Sequence, residues 1–122
     1  WQLGAAGIFT IGKKQRKQTS DVLYVSYKIP FRQYETIEDF LNSRPKQAQL
    51  IGIEIGGMPL RTFIHPECAV YLLGSEANGL SKQVLSQCNQ VVEIESVRYA
   101  SFNVAVSGSI VMYHRCSALG FS

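Results

Sequence analysis

Nothing in this chain of 122 residues approaches the run of roughly 18 apolar residues that a membrane-spanning helix requires. The opening residues, Trp1-Gln2-Leu3-Gly4, lack the charged region and cleavage site of a secretory signal. An initiator Met is missing as well, so the sequence reads as a fragment or an incompletely observed chain. Cysteines are few and odd in number. Cys68, Cys88 and Cys116 stand far apart, which argues against a disulfide framework and suits reduced thiols in a cytoplasmic compartment. Paired zinc-ligand spacing is absent too: His65-Pro66-Glu67-Cys68 and His114-Arg115-Cys116 carry metal-capable side chains without it, so structural or surface roles and no metal are expected. Repeats and linker-like stretches are lacking, and the net charge of +3 permits a polyanionic partner without demanding one.

What is present reads as one globular domain over residues 1–122, with 46% apolar and 17% charged residues. The length suffices for a single modest core. Ala5 to Gly12 is a short apolar run closed by Gly, as in a strand buried on both faces. Lys13-Lys14-Gln15-Arg16-Lys17 follows as a basic loop, and Val22 to Ile29 receives no assignment. Thr36 predicts a helix N-cap, with Asp39 in the capping-box position and apolar Ile37, Phe40 and Leu41 at helical spacing before Pro45. Leu50 to Ile55, stopped by Gly56-Gly57, Ala69 to Leu73 and Val91 to Ile94 predict further strands; Ser81 predicts a cap for a helix through Val84 and Leu85. From Ser101 onward, apolar residues mixed with small ones predict a helix packed closely on several sides. Apolar strands alternating with helices imply an α/β fold whose sheet is mostly parallel and flanked by helices.

Ligands of such sheets sit outside the carboxyl ends of the strands. Gly74 stands there, after an all-apolar strand, where a Gly lets the backbone approach a flat ligand. Glu76 adds an acceptor, Asn78 an amide and Gly79 a second flexible point. The spacing Gly74-x-x-x-x-Gly79 resembles a phosphate loop, but Leu80 occupies the place of its Lys, which excludes that reading. By local pattern alone, a tight strand-to-helix turn without a ligand explains the segment equally well.

Leu73-Gly74-Ser75-Glu76-Ala77-Asn78-Gly79-Leu80-Ser81 resembles the second motif of the SpoU, or TrmH-like, RNA 2′-O-methyltransferases, a Gly-x-Glu-x-x-Gly loop. Ile94 matches the Ile that opens that family's Ile-Pro-Met segment. Ser101-Phe102-Asn103-Val104-Ala105-Val106-Ser107 is similar to its third motif, Ser-Leu-Asn-Val-Ser-Val-Ala. The order is right, and the similarity runs from about residue 3 to residue 116. The resemblance implies a C-terminal trefoil knot in the α/β domain, a homodimer, and S-adenosylmethionine bound in the knot. It implies further that Leu73, Gly74, Ser75, Gly79, Ile94, Ser96 and Phe102 bind the methyl donor, with Gly74, Ile94 and Phe102 bounding its adenosyl pocket. Glu76, Ser101 and Asn103 match polar family residues near the reacting centre, and Ser101 and Asn103 are equally good helix caps.

Three departures accompany the match. Glu95-Ser96 replaces Pro-Met, which predicts a less rigid backbone after Ile94, and Phe102 replaces a Leu. The family's first motif, Asn-x-Gly-x-x-x-Arg-Thr-Ala, is absent, and its Arg is expected just before residue 1. The implied reaction is methyl transfer to a ribose 2′-hydroxyl of tRNA or rRNA. Lys13, Lys14, Arg16 and Lys17 are candidates for RNA phosphates, and Tyr24, Tyr27, Phe31, Arg32 and Tyr34 interleave aromatic and basic groups as stacking surfaces do. An inactive RNA-binding or dimerisation module of the same fold, and methylation of a base instead of a ribose, are the competing readings.

Overall fold

A computed structural model of the chain describes residues 3–12, 30–75, 78–98 and 102–121. The basic loop 13–17, Tyr24, Tyr27, Glu76 and Ser101 lie outside the described residues. The chain divides into two units, Trp1–Pro45 and Lys46–Ser122.

In the first unit, β1 (Ile8–Ile11) and β2 (Phe31–Tyr34) pair in parallel, from Ile8 opposite Phe31 to Ile11 opposite Tyr34. The predicted strand at the start is therefore real but shorter, and it is not buried on both faces, since Ile8 and Thr10 are exposed and Phe9 and Ile11 half-buried; β2 comes from residues that the sequence suggests as a stacking surface. α1 (Ile37–Ser43) begins as the sequence predicts: the Thr36 hydroxyl accepts from the Asp39 amide at 3.1 Å. Its buried residue, Phe40, stacks on Phe9 with ring centroids 4.4 Å apart, and Tyr34 meets both rings edge-on. Tyr34 thus packs within its own unit, while Arg32 is exposed.

The second unit is a three-stranded parallel sheet in the order β4-β3-β5, formed by β3 (Gln49–Pro59), β4 (Ala69–Leu73) and β5 (Gln90–Glu93). α2 (Lys82–Gln87) connects β4 to β5, and α3 (Val104–Leu119) follows. The β3 sequence is apolar without alternation because the central strand is covered on both sides: Leu50 and Ile51 are fully buried. Ile51, Ile53, Leu60, Phe63 and Val92 form one core cluster with Val111 of α3. Full burial of each such side chain contributes roughly 1.5–3 kcal/mol.

Two expectations change here. β3 does not stop at Gly56-Gly57 but continues to Pro59. Its ladder to β5 reaches Ile53 opposite Val92, breaks, and resumes with Met58 opposite the same Val92. The glycines make this bulge possible: Gly56 has φ 100°, and a Cβ on Gly57 would lie 2.6 Å from the Val91 carbonyl carbon. The glycines read as a strand end are the hinge of a bulged strand. α3, predicted to be packed on several sides, is one-faced. It buries Ser107, Val111 and Cys116 and exposes Val106, Tyr113 and Leu119. Among the described residues no helix is long and apolar enough to cross a membrane.

Candidate functional site

The bulged middle of β3, the carboxyl ends of β4 and β5 and the start of α3 enclose one open cleft. It is lined by Ile53, Glu54 and Ile55 of β3, Leu73 with Gly74, Ser75 and Gly79 after β4, Glu93 and Ile94 at the end of β5, and Phe102, Val104 and Ser107. Parallel sheets present ligands at this end, where loops leave β4 and β5.

The loop after β4 folds back on itself. The Gly79 amide donates to the Ser75 carbonyl at 2.8 Å, and the Asn78 amide donates to the Ser75 hydroxyl at 3.2 Å. Both glycines are needed for this shape. A Cβ on Gly74 would sit 2.2 Å from the Gly79 carbonyl carbon, and Gly79 has φ 63°. Ser81 then caps α2 by accepting from the Val84 amide at 3.2 Å. The segment is therefore the tight strand-to-helix turn that its local pattern allows, and it also forms one wall of the cleft.

Six of the predicted donor-binding residues, Leu73, Gly74, Ser75, Gly79, Ile94 and Phe102, line this cleft together. Ser96 is exposed and does not line it; its hydroxyl donates to the Arg98 carbonyl. Asn103 stands between the lining residues Phe102 and Val104 and caps α3, its side-chain oxygen accepting from the amides of Ala105 at 2.9 Å and Val106 at 3.3 Å. The segment after Ile94, without its Pro, is tethered by Glu95. That carboxylate pairs with the Arg61 guanidinium at 2.9 Å and accepts from the Arg61 amide at 3.3 Å.

Sequence reasoning missed Glu54 and Glu93. Both carboxylates serve backbone amides in the bulge: Glu54 accepts from Ile55 at 2.9 Å, and Glu93 from Gly56 at 2.7 Å. The second oxygen of Glu54 accepts from the Leu80 amide at 2.8 Å. A signal existed, since Glu54 is the one charged residue in the apolar run from Leu50 to Ile55.

Away from the cleft, the two segments with metal-capable residues converge. His65 Nε2 meets His114 Nδ1 at 2.7 Å, and His65 Nδ1 meets the Tyr71 hydroxyl at 2.7 Å. Arg115 donates to that hydroxyl at 3.0 Å and to the carbonyls of Pro66 and Glu67, both at 2.6 Å. Because Arg115 can only donate, the Tyr71 hydroxyl accepts from it and we assign its own O–H as the donor to His65 Nδ1, so that neutral His65 donates from Nε2 to His114. Burial, reinforced by the charges of His114 and Arg115, pushes the His65 pKa down from 6.5 to about 4. Burial also raises that of Tyr71. No group of three His, Cys, Asp or Glu among the described residues is arranged to hold a metal ion, and the three cysteines are free thiols.

Several solved structures share the fold. An AdoMet-bound rRNA methyltransferase from Sinorhizobium meliloti is 21% identical with a TM-score of 0.79, over 96% of this chain and 48% of that one. The SpoU methyltransferase AviRb from Streptomyces viridochromogenes, in complex with the cofactor AdoMet, is 20% identical with a TM-score of 0.79, over 97% and 50%. A protein described for 2-OH methylation of C/U34 on tRNA is 16% identical with a TM-score of 0.77, over 93% and 95%. The chain spans about half the length of the first two. No curated protein matches. The model of the SpoU rRNA methylase family matches residues 2–113, nearly the whole sequence and every wall of the cleft, and the chain belongs to that family.

Proposed function

We propose that the chain is the methyltransferase domain of an S-adenosylmethionine-dependent enzyme that methylates a ribose 2′-hydroxyl of tRNA or rRNA. The observation that carries this reading is the convergence of the Gly74–Gly79 loop, Ile94 and Phe102 on one cleft. The lining suits such a donor. Its apolar side chains, Ile53, Ile55, Leu73, Ile94, Phe102 and Val104, match a flat adenosyl group, and the Glu54 and Glu93 carboxylates complement a cation. The close approach of Gly74 to Gly79 leaves backbone on the surface where side chains would otherwise stand.

Gly74, Ile94 and Phe102 would hold the adenosyl part, with Leu73, Ser75 and Gly79 around it. The donor supplies a methyl group on a positively charged sulfur. As the oxygen–methyl bond forms and the sulfur–methyl bond breaks, the ribose hydroxyl must lose its proton. Orientation of the two reactants in the cleft lowers the barrier more than an electrostatic clamp does, because positive charge is being lost. Glu76, Ser101 and Asn103 would orient the hydroxyl, or the family's Arg that polarises it. Lys13, Lys14, Arg16 and Lys17 would hold RNA phosphates, making affinity fall with salt. The trefoil knot, a homodimer and a cytoplasmic location belong to the same reading. It draws on the family match over residues 2–113, on the exposed apolar residues Val106, Tyr113 and Leu119 of α3 and on the free thiols.

Titration calorimetry of the full-length protein with S-adenosylmethionine is the first test, and transfer of labelled methyl to tRNA or rRNA with nucleoside identification is the second. Asn103→Ala is expected to cut transfer at least about a hundredfold while changing donor affinity only a few-fold. Donor binding without transfer to any RNA would favour the inactive module. A folded protein that binds no donor would end the proposal.

A further inference from the structure

We propose that Glu54 is a positioning residue whose carboxylate clamps the Gly74–Leu80 loop in the shape that receives the methyl donor, an inference that rests on the function proposed above. Glu54 is the first residue of β3 after the ladder to β5 breaks at Ile53. The break frees the Ile55 amide, which donates to one oxygen of Glu54, so the carboxylate is fixed from within its own strand. The other oxygen reaches 26 residues along the chain to accept from the Leu80 amide at 2.8 Å. Leu80 lies between β4 and α2, where neither element offers its amide a partner.

The loop is shaped around the carboxylate. A Cβ on Gly79 would lie 2.3 Å from the Glu54 oxygen that holds Leu80. Both Glu54 and Gly79 line the cleft, so the clamp acts on the wall that a ligand touches. A hydrogen bond to an ionised acceptor is roughly twice as strong as a neutral one, which suits a single carboxylate holding a whole loop. Glutamine preserves the shape, but its amide nitrogen donates and cannot accept, so one of the two backbone amides loses its partner. Aspartate preserves the charge and falls a methylene short of Leu80.

Two measurements on the full-length protein test the clamp. Amide hydrogen exchange in the absence of ligand should show Leu80 protected, and at least about tenfold less protected in Glu54→Gln. The same variant should raise the dissociation constant for S-adenosylmethionine about tenfold, with kcat at saturating donor within about threefold, and Glu54→Asp should recover only part of that affinity. Tyr71→Phe is the comparator. It loses bonds to His65 and Arg115 outside the cleft, so it should lower Tm at least as much while leaving donor affinity unchanged. Unchanged exchange at Leu80 in Glu54→Gln overturns the proposal, and so does a loss of affinity no larger than that of Tyr71→Phe. A wild-type protein that binds no donor overturns the functional reading instead, and the exchange at Leu80 still decides the clamp.

Discussion

The cleft and the histidine cluster use polar groups in opposite ways. In the cleft, carboxylates and a folded-back loop hold backbone amides, and the space between them stays open. In the cluster, His65, Tyr71, His114 and Arg115 bond one another side chain to side chain, Arg115 also ties down the carbonyls of Pro66 and Glu67, and His65 is only 4% exposed. Backbone held by side chains yields a fixed surface that something else can touch. Side chains held by side chains yield a closed joint between α3, β4 and the segment before it. The two regions should therefore fail differently when disturbed, the cleft losing ligand and the joint losing stability.

The largest expected effect is at Gly74. A methyl group there must displace backbone, since its nearest neighbour would be 2.2 Å away and belongs to Gly79. Gly74→Ala should reduce affinity for S-adenosylmethionine about thirtyfold or more by calorimetry, because displacing the loop backbone costs on the order of 2–3 kcal/mol. An affinity within tenfold of wild type would show that the loop does not line the bound donor.

How much of this was legible beforehand depended on how local the cause was. Thr36 and Ser81 declared their helices because a cap is settled within three residues, and β4 declared itself through an unbroken apolar run. The order of the three motifs named the family. The bulge was not legible. A glycine pair after a strand ordinarily ends it, and only the approach of Gly57 to Val91, 34 positions away, shows otherwise. Glu54 was hidden for the same reason, its partner lying 26 residues downstream. The two histidine segments each lacked ligand spacing, and their meeting across 49 positions depends on where α3 packs. The exposure of α3 is not legible because its small residues suggest close approach, whereas a Cβ on Gly108 would be in ordinary contact, 3.5 Å from Leu73 Cδ1.

The joint should break with acid. In the unfolded chain His65 takes up a proton near its ordinary value of 6.5, but in the fold only near 4, because burial and the charges of His114 and Arg115 oppose it. Protons then favour the unfolded state, so stability falls as the pH drops from about 6.5 towards about 4 and levels off below. The loss by pH 4.5 is on the order of 2 kcal/mol, measured by denaturant titration. In His65→Gln that share of the pH dependence should disappear, although the variant starts from lower stability at pH 7. An unchanged slope in the variant would mean that another group carries the acid sensitivity.

The smallest effect sharpens the comparison most, because it asks which end of the loop matters. Ser81 caps α2 immediately after Leu80, and α2 has six residues, none of them buried. Ser81→Ala removes the cap and should cost about 1 kcal/mol, read as a fall in the unfolding midpoint. If the loop is held from the β3 side through Glu54, fraying α2 should change donor affinity by less than about threefold. If the helix anchors the loop, affinity should fall in proportion to the lost cap, about fivefold for 1 kcal/mol. A six-residue helix whose apolar Val84 and Leu85 are only half-buried holds the loop less firmly than the Glu54 carboxylate, which is fixed to β3 through the Ile55 amide. The smaller change is the expected one.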